Sequence, residues 1–415
     1  MSIARKAVII GAGPAGLAAA IRLKTYNGID TEVYEIRPEP TTLGGAVNIP
    51  SNGLRLFDRL GLYAELTARG SSASQLIVHS MQSSVLVDVD MAGWSRQKWA
   101  HRENIPVHFD KRMTGIVEDE KEVTIYFADG TTATADLLLG CDGIHSAVRR
   151  LHVNPDISPV YSGISNMYSI VPASRLCGKE NTITPALHGT LTPEGLLGLM
   201  PCTQSGDQVY WFYSREVAVP GGEGNREGWE AFGQHEIDDF RSNIQRVIMD
   251  ARGEWVHTLR EVVQKTDTIK FYPIYKMPLA RTWSTRRCLL LGDAAHAMQP
   301  HVGQGTSMAL EDVFLLSRLL ESNSHSLIEV FAEYETVRRP RVEAIGRAST
   351  ENGEIRKNTT STALKMKEMA IGVGFWLYKT ARLQKFGIGM NQKDFVYDIL
   401  DEPIWSSTKG RMSPS

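Results

Sequence analysis

Residues 7–20 read Ala7-Val-Ile-Ile-Gly-Ala-Gly-Pro-Ala-Gly-Leu-Ala-Ala-Ala20. The opening run, Ala7 to Ile10, is apolar without alternation, the pattern of a strand buried on both faces. Gly11, Gly13 and Gly16 follow in G-x-G-x-x-G spacing. One glycine makes a tight turn, one lets backbone approach a pyrophosphate, and one lets the next helix pack closely on the strand. Pro14 suits the first helical position, where a missing N–H costs nothing, and Leu17 to Leu23 is rich in good helix formers. A strand, a glycine turn and a helix N-terminus in that order predict a site for an anion.

The next strand, Thr31-Glu-Val-Tyr-Glu35, ends in an acid. Glu35 stands about 20 residues past the last glycine, where a carboxylate accepts both hydroxyls of an adenosine ribose. It repels a 2′-phosphate, so the spacing predicts FAD or NAD at this site rather than NADP. Arg37 follows, and Pro38 to Gly45 is loop by composition.

Two later stretches repeat this design. Ala135-Asp-Leu-Leu-Leu-Gly-Cys-Asp-Gly143 delivers Asp142 and Gly143 to the carboxyl end of a buried strand, where open α/β sheets bind ligands. Arg287-Cys-Leu-Leu-Leu-Gly-Asp293 does the same for Gly292 and Asp293. A second glycine loop, Pro300-His-Val-Gly-Gln-Gly305, then opens a helix from Thr306 to Leu320. Further strands are expected at 76–90, 105–109 and 123–127, and a helix over 52–62.

From about 155 to 280 the chain alternates aromatic and polar residues, as in Val209-Tyr-Trp-Phe-Tyr-Ser214. This predicts a mainly antiparallel β-sheet domain with a helical insert at 238–252. The expected organisation is a Rossmann-like α/β domain over 1–154, holding sheet-domain strands near 76–90. The β domain spans 155–280, the first domain resumes over 281–345, and a helical tail fills 346–415. A chain of 415 residues at 42% apolar and 22% charged supports two such domains. A net charge of −2 predicts no general affinity for nucleic acid or anionic lipid. Cys141, Cys177, Cys202 and Cys288 form no metal or redox spacing, so a reduced, intracellular, cytoplasmic setting and no metal site are expected. No run of about 18 apolar residues predicts a membrane span, and the first strand leaves no room for a signal peptide. Oligomeric state stays open.

Taken together, Gly11-Ala-Gly-Pro-Ala-Gly16 with Glu35, Asp142-Gly143, and Gly292-Asp293 with Pro300, Gly303 and Gly305 resemble the single-component FAD-dependent aromatic hydroxylases. That family includes the salicylate and para-hydroxybenzoate hydroxylases, and the resemblance covers roughly residues 5–345. It implies a glutathione-reductase-type FAD domain, with Arg37 and Gly45 beside Glu35 in the cofactor site. Asp293 would hold the FAD ribitol, and Gly303 to Thr306 would face the flavin pyrimidine oxygen. The implied reaction uses NADH or NADPH and O2 to hydroxylate a small phenolic molecule through a flavin C4a-hydroperoxide, with a role in secondary metabolism. A flavin-dependent epoxidase or dearomatising oxygenase is an alternative, as is a non-catalytic binding protein on the same fold.

The catalytic side chains are not named by these motifs; His296, His301 and Tyr213 are the candidates. Tyr210, Trp211 and Tyr213 sit on a sheet strand whose pocket face the pattern leaves open. Arg175 and His188 are expected at the surface, though either would suit an acidic substrate. Arg338-Arg-Pro-Arg341 reads as a solvated helix end broken by proline. One departure concerns Met91 to Asn104, which is too short for the Arg-x-x-Leu helix of the resembling family. Either Arg96 or Arg102 replaces that arginine, or the stretch lacks a piece, and weak FAD retention is expected.

Overall fold

The computed structural model describes residues 4–40, 46–73, 75–90, 105–176, 183–218, 233, 235–240, 244, 248, 252–322, 324–381 and 392–405. Gly45, Cys177, the segment Met91 to Asn104 and most of the expected insert at 238–252 lie outside these residues. The strands are β1 (Lys6–Ile10), β2 (Asp30–Tyr34), β3 (Gln75–His79), β4 (Val85–Asp90), β5 (Val107–His108), β6 (Met113–Glu118), β7 (Val123–Phe127), β8 (Thr132–Ala135), β9 (Leu137–Gly140), β10 (Val160–Pro172), β11 (Ala186–Thr192), β12 (Gly195–Pro201), β13 (Gln208–Glu216), β14 (Lys270–Lys276) and β15 (Cys288–Leu290). The helices used below are α1 (Pro14–Asn27), α2 (Ser51–Arg59), α3 (Tyr63–Arg69), α4 (Glu254–Gln264), α5 (Asp293–His296), α6 (Gly305–Leu319), α7 (Leu327–Gly353) and α8 (Ser361–Thr380).

The unalternating apolar runs become the centre of a five-stranded sheet ordered β15-β9-β1-β2-β5, parallel at every pairing. Ile9 pairs with Leu139 on one side and Val33 on the other, and all three are fully buried. Helices α1 and α6 pack on each other beside this sheet. A small antiparallel sheet, β6-β7-β8, adds Val123, Ile125 and Phe127 to the same core. Because β1, β9 and β15 are parallel neighbours, their carboxyl ends deliver the three predicted loops to one edge.

The second sheet is ordered β14-β10-β13-β12-β11-β3-β4. Its printed pairings are antiparallel except β11 with β3. It gathers strands from 75–90 and from 160–276, so the chain enters this sheet twice. One face carries Met167, Leu197, Leu199, Trp211 and Tyr213 into a core with Val256, Leu259 and Val262 of α4. The opposite face carries Tyr168, Met200, Tyr210 and Phe212, against which Ala46 of the first domain packs.

Helix α7 begins at a capping box, in which Ser326 and Glu329 satisfy each other's backbone N–H groups. It then runs 27 residues, straight through Pro340. The solvated helix end expected at Arg338 to Arg341 is therefore corrected. Proline in a helix interior removes a hydrogen bond and costs about 3 kcal/mol, but arginines on both sides of Pro340, Arg338 and Arg341, pair with acids of α6 and hold the helix. Among the described residues no helix is long and apolar enough to cross a membrane.

Candidate cofactor and substrate site

The first loop divides its glycines by task. Gly11 has φ +104, and a Cβ there would stand 2.5 Å from the Cys141 carbonyl oxygen. A Cβ on Gly16 would meet the Gly11 carbonyl oxygen at 2.0 Å. Around Gly13 nothing lies within 4 Å of such a Cβ. Turn, open approach and close packing are thus separate positions, and the open one lies at the N-terminus of α1. No side chain caps that terminus, so its first-turn N–H groups are available to an anion. Glu35, just past β2, accepts from Ala12 N at 2.8 Å through one oxygen and from Arg37 N at 3.0 Å through the other. Each oxygen keeps a second lone pair for a ribose hydroxyl.

At the end of β9, Asp142 Oδ2 accepts from Ala147 N at 2.6 Å and Val148 N at 3.2 Å. Its Oδ1 is buried without a partner. Burial raises the Asp142 pKa, against the pull of those hydrogen bonds. Gly143 follows at φ +75 with open space around it. Arg149, 3% exposed, ties this loop to the next: Nη1 donates to Ala294 O and Nη2 to Ile144 O.

The third loop rests on a buried ion network. Gly292, at φ +58, packs against Ala309 of α6 and donates its N–H to Asp312 Oδ2 at 2.8 Å. His296 Nε2 lies 2.8 Å from the same oxygen. Arg338 Nε donates to Asp312 Oδ1 at 2.8 Å, and its Nη1 donates to Glu311 Oε2 at 2.9 Å. Arg341 also reaches Glu311, through Nε at 2.8 Å and Nη2 at 2.9 Å. Arg338 and Asp312 are 0% exposed. Burial alone would raise the Asp312 pKa, but the charges of His296 and Arg338 hold it down at about 2. The arginines flanking Pro340 are thus the anchors of α7. Asp293 is exposed as a residue, and the protein packed around its carboxyl group raises its pKa.

The turn Pro300–Val302 leads through Gly303, at φ +64, into α6, whose N-terminus also lacks a side-chain cap. Asn52 of α2 donates to Gln304 Oε1 at 2.8 Å and to Glu311 Oε1 at 2.9 Å, pinning the loop from behind. Pro300 is exposed, and Gly305 is the first residue of the helix.

The catalytic candidates separate. His296 is 4% exposed and engaged by Asp312, so it orders the Gly292 loop. Tyr213 is 1% exposed, and its hydroxyl lies 3.3 Å from Thr192 Oγ1 within the α4 core. The face that the sequence pattern left open is thereby divided: Trp211 and Tyr213 meet α4, while Tyr210 and Phe212 lie on the face that packs against Ala46. His301 lies in the Pro300 turn with Nε2 buried and unpaired. Burial, and then the charge of Arg356, lower its pKa to about 3. Its unpaired Nε2 is left free for a hydrogen bond. His188 is also corrected: it is buried, with Nδ1 3.0 Å from His79 Nε2. Arg175 is exposed and paired with Asp267.

Arg149, Asp312 and Arg338 escaped the sequence reading. Asp312 at the position 19 residues beyond Asp293, on the apolar helix α6, was the available signal: an acid on a buried face calls for a cation. One cluster with metal-like composition, Glu118, His152 and Cys288, occurs among the described residues, its ligand atoms within 4.8 Å of one another. Glu118 already accepts from Thr285 Oγ1 and from the N–H groups of Arg286 and Arg287, so it fastens the start of β15. A groove lined by Thr282, Ser284, Glu335 and Arg339 includes none of the motif residues.

The donor set fits a dinucleotide with a flavin: an uncapped helix for pyrophosphate, Glu35 for a ribose, an orphaned Asp142 oxygen, an accessible Asp293, and a second uncapped helix. A family model described as the FAD binding domain matches residues 5–349. The 6-hydroxynicotinate 3-monooxygenase of Pseudomonas fluorescens is 26% identical over 395 residues, covering 86% of this chain and 94% of that enzyme. The salicylate hydroxylase of Pseudomonas putida is 27% identical over 380 residues, covering 84% and 85%. A Klebsiella pneumoniae protein solved with FAD and uric acid superposes with a TM-score of 0.71 at 23% identity, covering 88% of this chain and 92% of that one.

Proposed function

Because the chain belongs to the FAD-binding-domain family of single-component aromatic hydroxylases, we propose that it is a monooxygenase that consumes NADH or NADPH with O2 to hydroxylate a small phenolic or related aromatic molecule. The observation that carries this reading is the convergence of three motif loops on one sheet edge, with an aromatic sheet face packed toward the same domain. FAD, when bound, supplies the redox and oxygen-transfer chemistry. The chain supplies position, charge and dryness. In this reading the α1 N-terminus and Glu35 hold the adenosine diphosphate half. Asp293 takes a ribitol hydroxyl. The uncapped N–H groups at Gly305 to Ser307 stabilise negative charge on the reduced ring. Tyr168, Tyr210 and Phe212 offer rings against which an aromatic substrate stacks.

No second glycine fingerprint for a tightly held nicotinamide stands in the sequence, which supports transient use of NADH or NADPH. The test is a screen of phenolic ligands for NAD(P)H oxidation with matched O2 uptake. Slow oxidation without ligand and faster, coupled oxidation with one is the expected result. A nicotinamide copurifying at one per chain, or a ligand-independent rate, refutes the reading.

A further inference from the structure

Glu118 ends β6, His152 lies in the π-helical turn Arg149–Val153, and Cys288 opens β15. The turn packs on both strands, so three segments far apart in sequence bring an oxygen, a nitrogen and a sulfur together. Isolated π turns are rare and frequent at functional sites. The three ligand atoms lie within 4.8 Å of one another. Cys288 Sγ is 3.4 Å from Glu118 Oε2, and His152 Nε2 is 3.3 Å from Glu118 Oε1. Oε2 is filled by Thr285 Oγ1 and Arg287 N, both at 3.0 Å. Oε1 accepts a longer bond from Arg286 N, at 3.3 Å, and keeps a lone pair.

Two features set this cluster apart from a carboxylate that merely fastens a strand. His152 Nε2 is buried and makes no hydrogen bond, although Oε1 is near. An imidazole lone pair there faces a carboxylate oxygen, a repulsion that a cation between them reverses. The spacing also suits one metal ion. Zn2+ bonds of about 2.3 Å to sulfur and about 2.0–2.2 Å to nitrogen and oxygen place tetrahedral ligands about 3.4–3.6 Å apart. The Glu118 carboxylate already stands near that spacing from both partners, and the remaining edge closes from 4.8 Å or less. Cys288 is fully buried, whereas the Glu118 and His152 side chains keep 14% and 20% exposure, which leaves one side open for an entering ion.

We propose that Glu118, His152 and Cys288 bind a Zn2+ ion, with water in the fourth position, as a clasp joining β6, the Arg149–Val153 turn and β15. The donor set selects the metal: thiolate with imidazole suits Zn2+, while Ca2+ and Mg2+ take oxygen ligands. One thiolate and one carboxylate together neutralise the dication. Burial, and then the Glu118 charge, raise the Cys288 pKa, so the ion displaces the thiol proton, which passes to solvent. The clasp braces the cofactor loops from behind. Arg149, on the same turn, donates to Ala294 O and Ile144 O, and β15 runs on into Gly292 and Asp293. Cysteine spacing carries no sign of such a site, because the ligands come from residues 118, 152 and 288.

The test uses the full chain with FAD, stripped of metal by a chelator and then dialysed. Co2+ is titrated in as a spectroscopic substitute, and its long-wavelength d–d bands are followed where oxidised flavin does not absorb. Intense bands saturating at one Co2+ per chain, and bleached by Zn2+, are the expected result. Cys288→Ser and His152→Gln should each abolish them, whereas Cys202→Ser, which alters a thiol outside the cluster, should leave them intact. Zn2+ at about 100 times its Kd should raise the melting temperature of the parent by about 5–11 °C and that of His152→Gln not at all. Because the His152 side chain is partly exposed, its variant keeps the test decisive if Cys288→Ser fails to fold. Absence of the bands in the parent, their persistence in His152→Gln, or a parent melting temperature that Zn2+ leaves unchanged overturns the proposal and leaves His152 and Glu118 as an ion pair only.

Discussion

Arg338→Met removes the side chain that, among the described residues, pairs with both Glu311 and Asp312. The lost contacts are the ion pairs at 2.9 Å and 2.8 Å and a bond to Met308 O at 3.2 Å. Methionine fills similar volume, so the effect isolates charge. Glu311 keeps Arg341 and Asn52, but Asp312 Oδ1 is left buried and unpaired. Breaking a buried pair by removing one partner costs about 3–5 kcal/mol. At roughly 2–4 °C per kcal/mol for a domain of about 150–250 residues, the melting temperature should fall by about 6–20 °C. Asp312 also positions Gly292 and, through it, Asp293, so FAD retention through gel filtration should drop in parallel. Arg338→Lys, which restores charge without the fork, should lie between the two. The assay is far-ultraviolet circular dichroism melting with and without added FAD, alongside flavin content per chain. A melting temperature within about 2 °C of the parent with unchanged flavin content would refute the network as the support of this loop.

Glu35→Ala should weaken FAD binding about 10- to 150-fold, from about 1.5–3 kcal/mol for a hydrogen bond to a charged group; dialysis followed by absorbance reads it. Gly13→Val should fold normally and lose FAD, since its side chain enters space free of protein, whereas Gly16→Ala should lose thermal stability even without FAD, its methyl pressing on the Gly11 carbonyl. The depressed Asp312 pKa makes its contribution complete above the unfolded value near 4 and lost as pH falls through about 2, so Asp312→Asn should flatten the melting profile across that acid window. The short Met91 to Asn104 segment should leave flavin content below one per chain, and grafting an Arg-x-x-Leu helix there should raise it; full, tight flavin in the parent would assign the missing contact to Arg96 or Arg102.

The parallel sheet and its three loops were legible because their signals are local. Glycine at fixed offsets after an unalternating apolar run allows few backbone paths, and the structure follows them at Gly11, Gly143, Gly292 and Gly303. Facing was less legible. In Tyr210-Trp-Phe-Tyr213 both sheet faces carry aromatic residues, so alternation cannot say which meets α4. That choice is made by residues far away in sequence, Val256 and Leu259, which supply the apolar partner for Trp211 and Tyr213.

Buried charge was the least legible feature, and Arg338 and Arg356 show why. Both are arginines near the end of a polar stretch, and composition places both in solvent. What separates them from a solvated charge is the opposing surface: for Arg338, Asp312 and Glu311 on α6; for Arg356, strands β12 and β13, with no ion pair among the described residues. A sequence gives charge and period but not which helix a face meets. The buried acids on an otherwise apolar helix were a clue that a cation must reach them, since an unpaired carboxylate there would be untenable. No such clue exists for Arg356, which is buried where its turn packs on β12 and β13. A structural cation is recognised by its partner, and for Arg338 that partner sits on another helix, so the pairing becomes visible only once α6 and α7 are packed together.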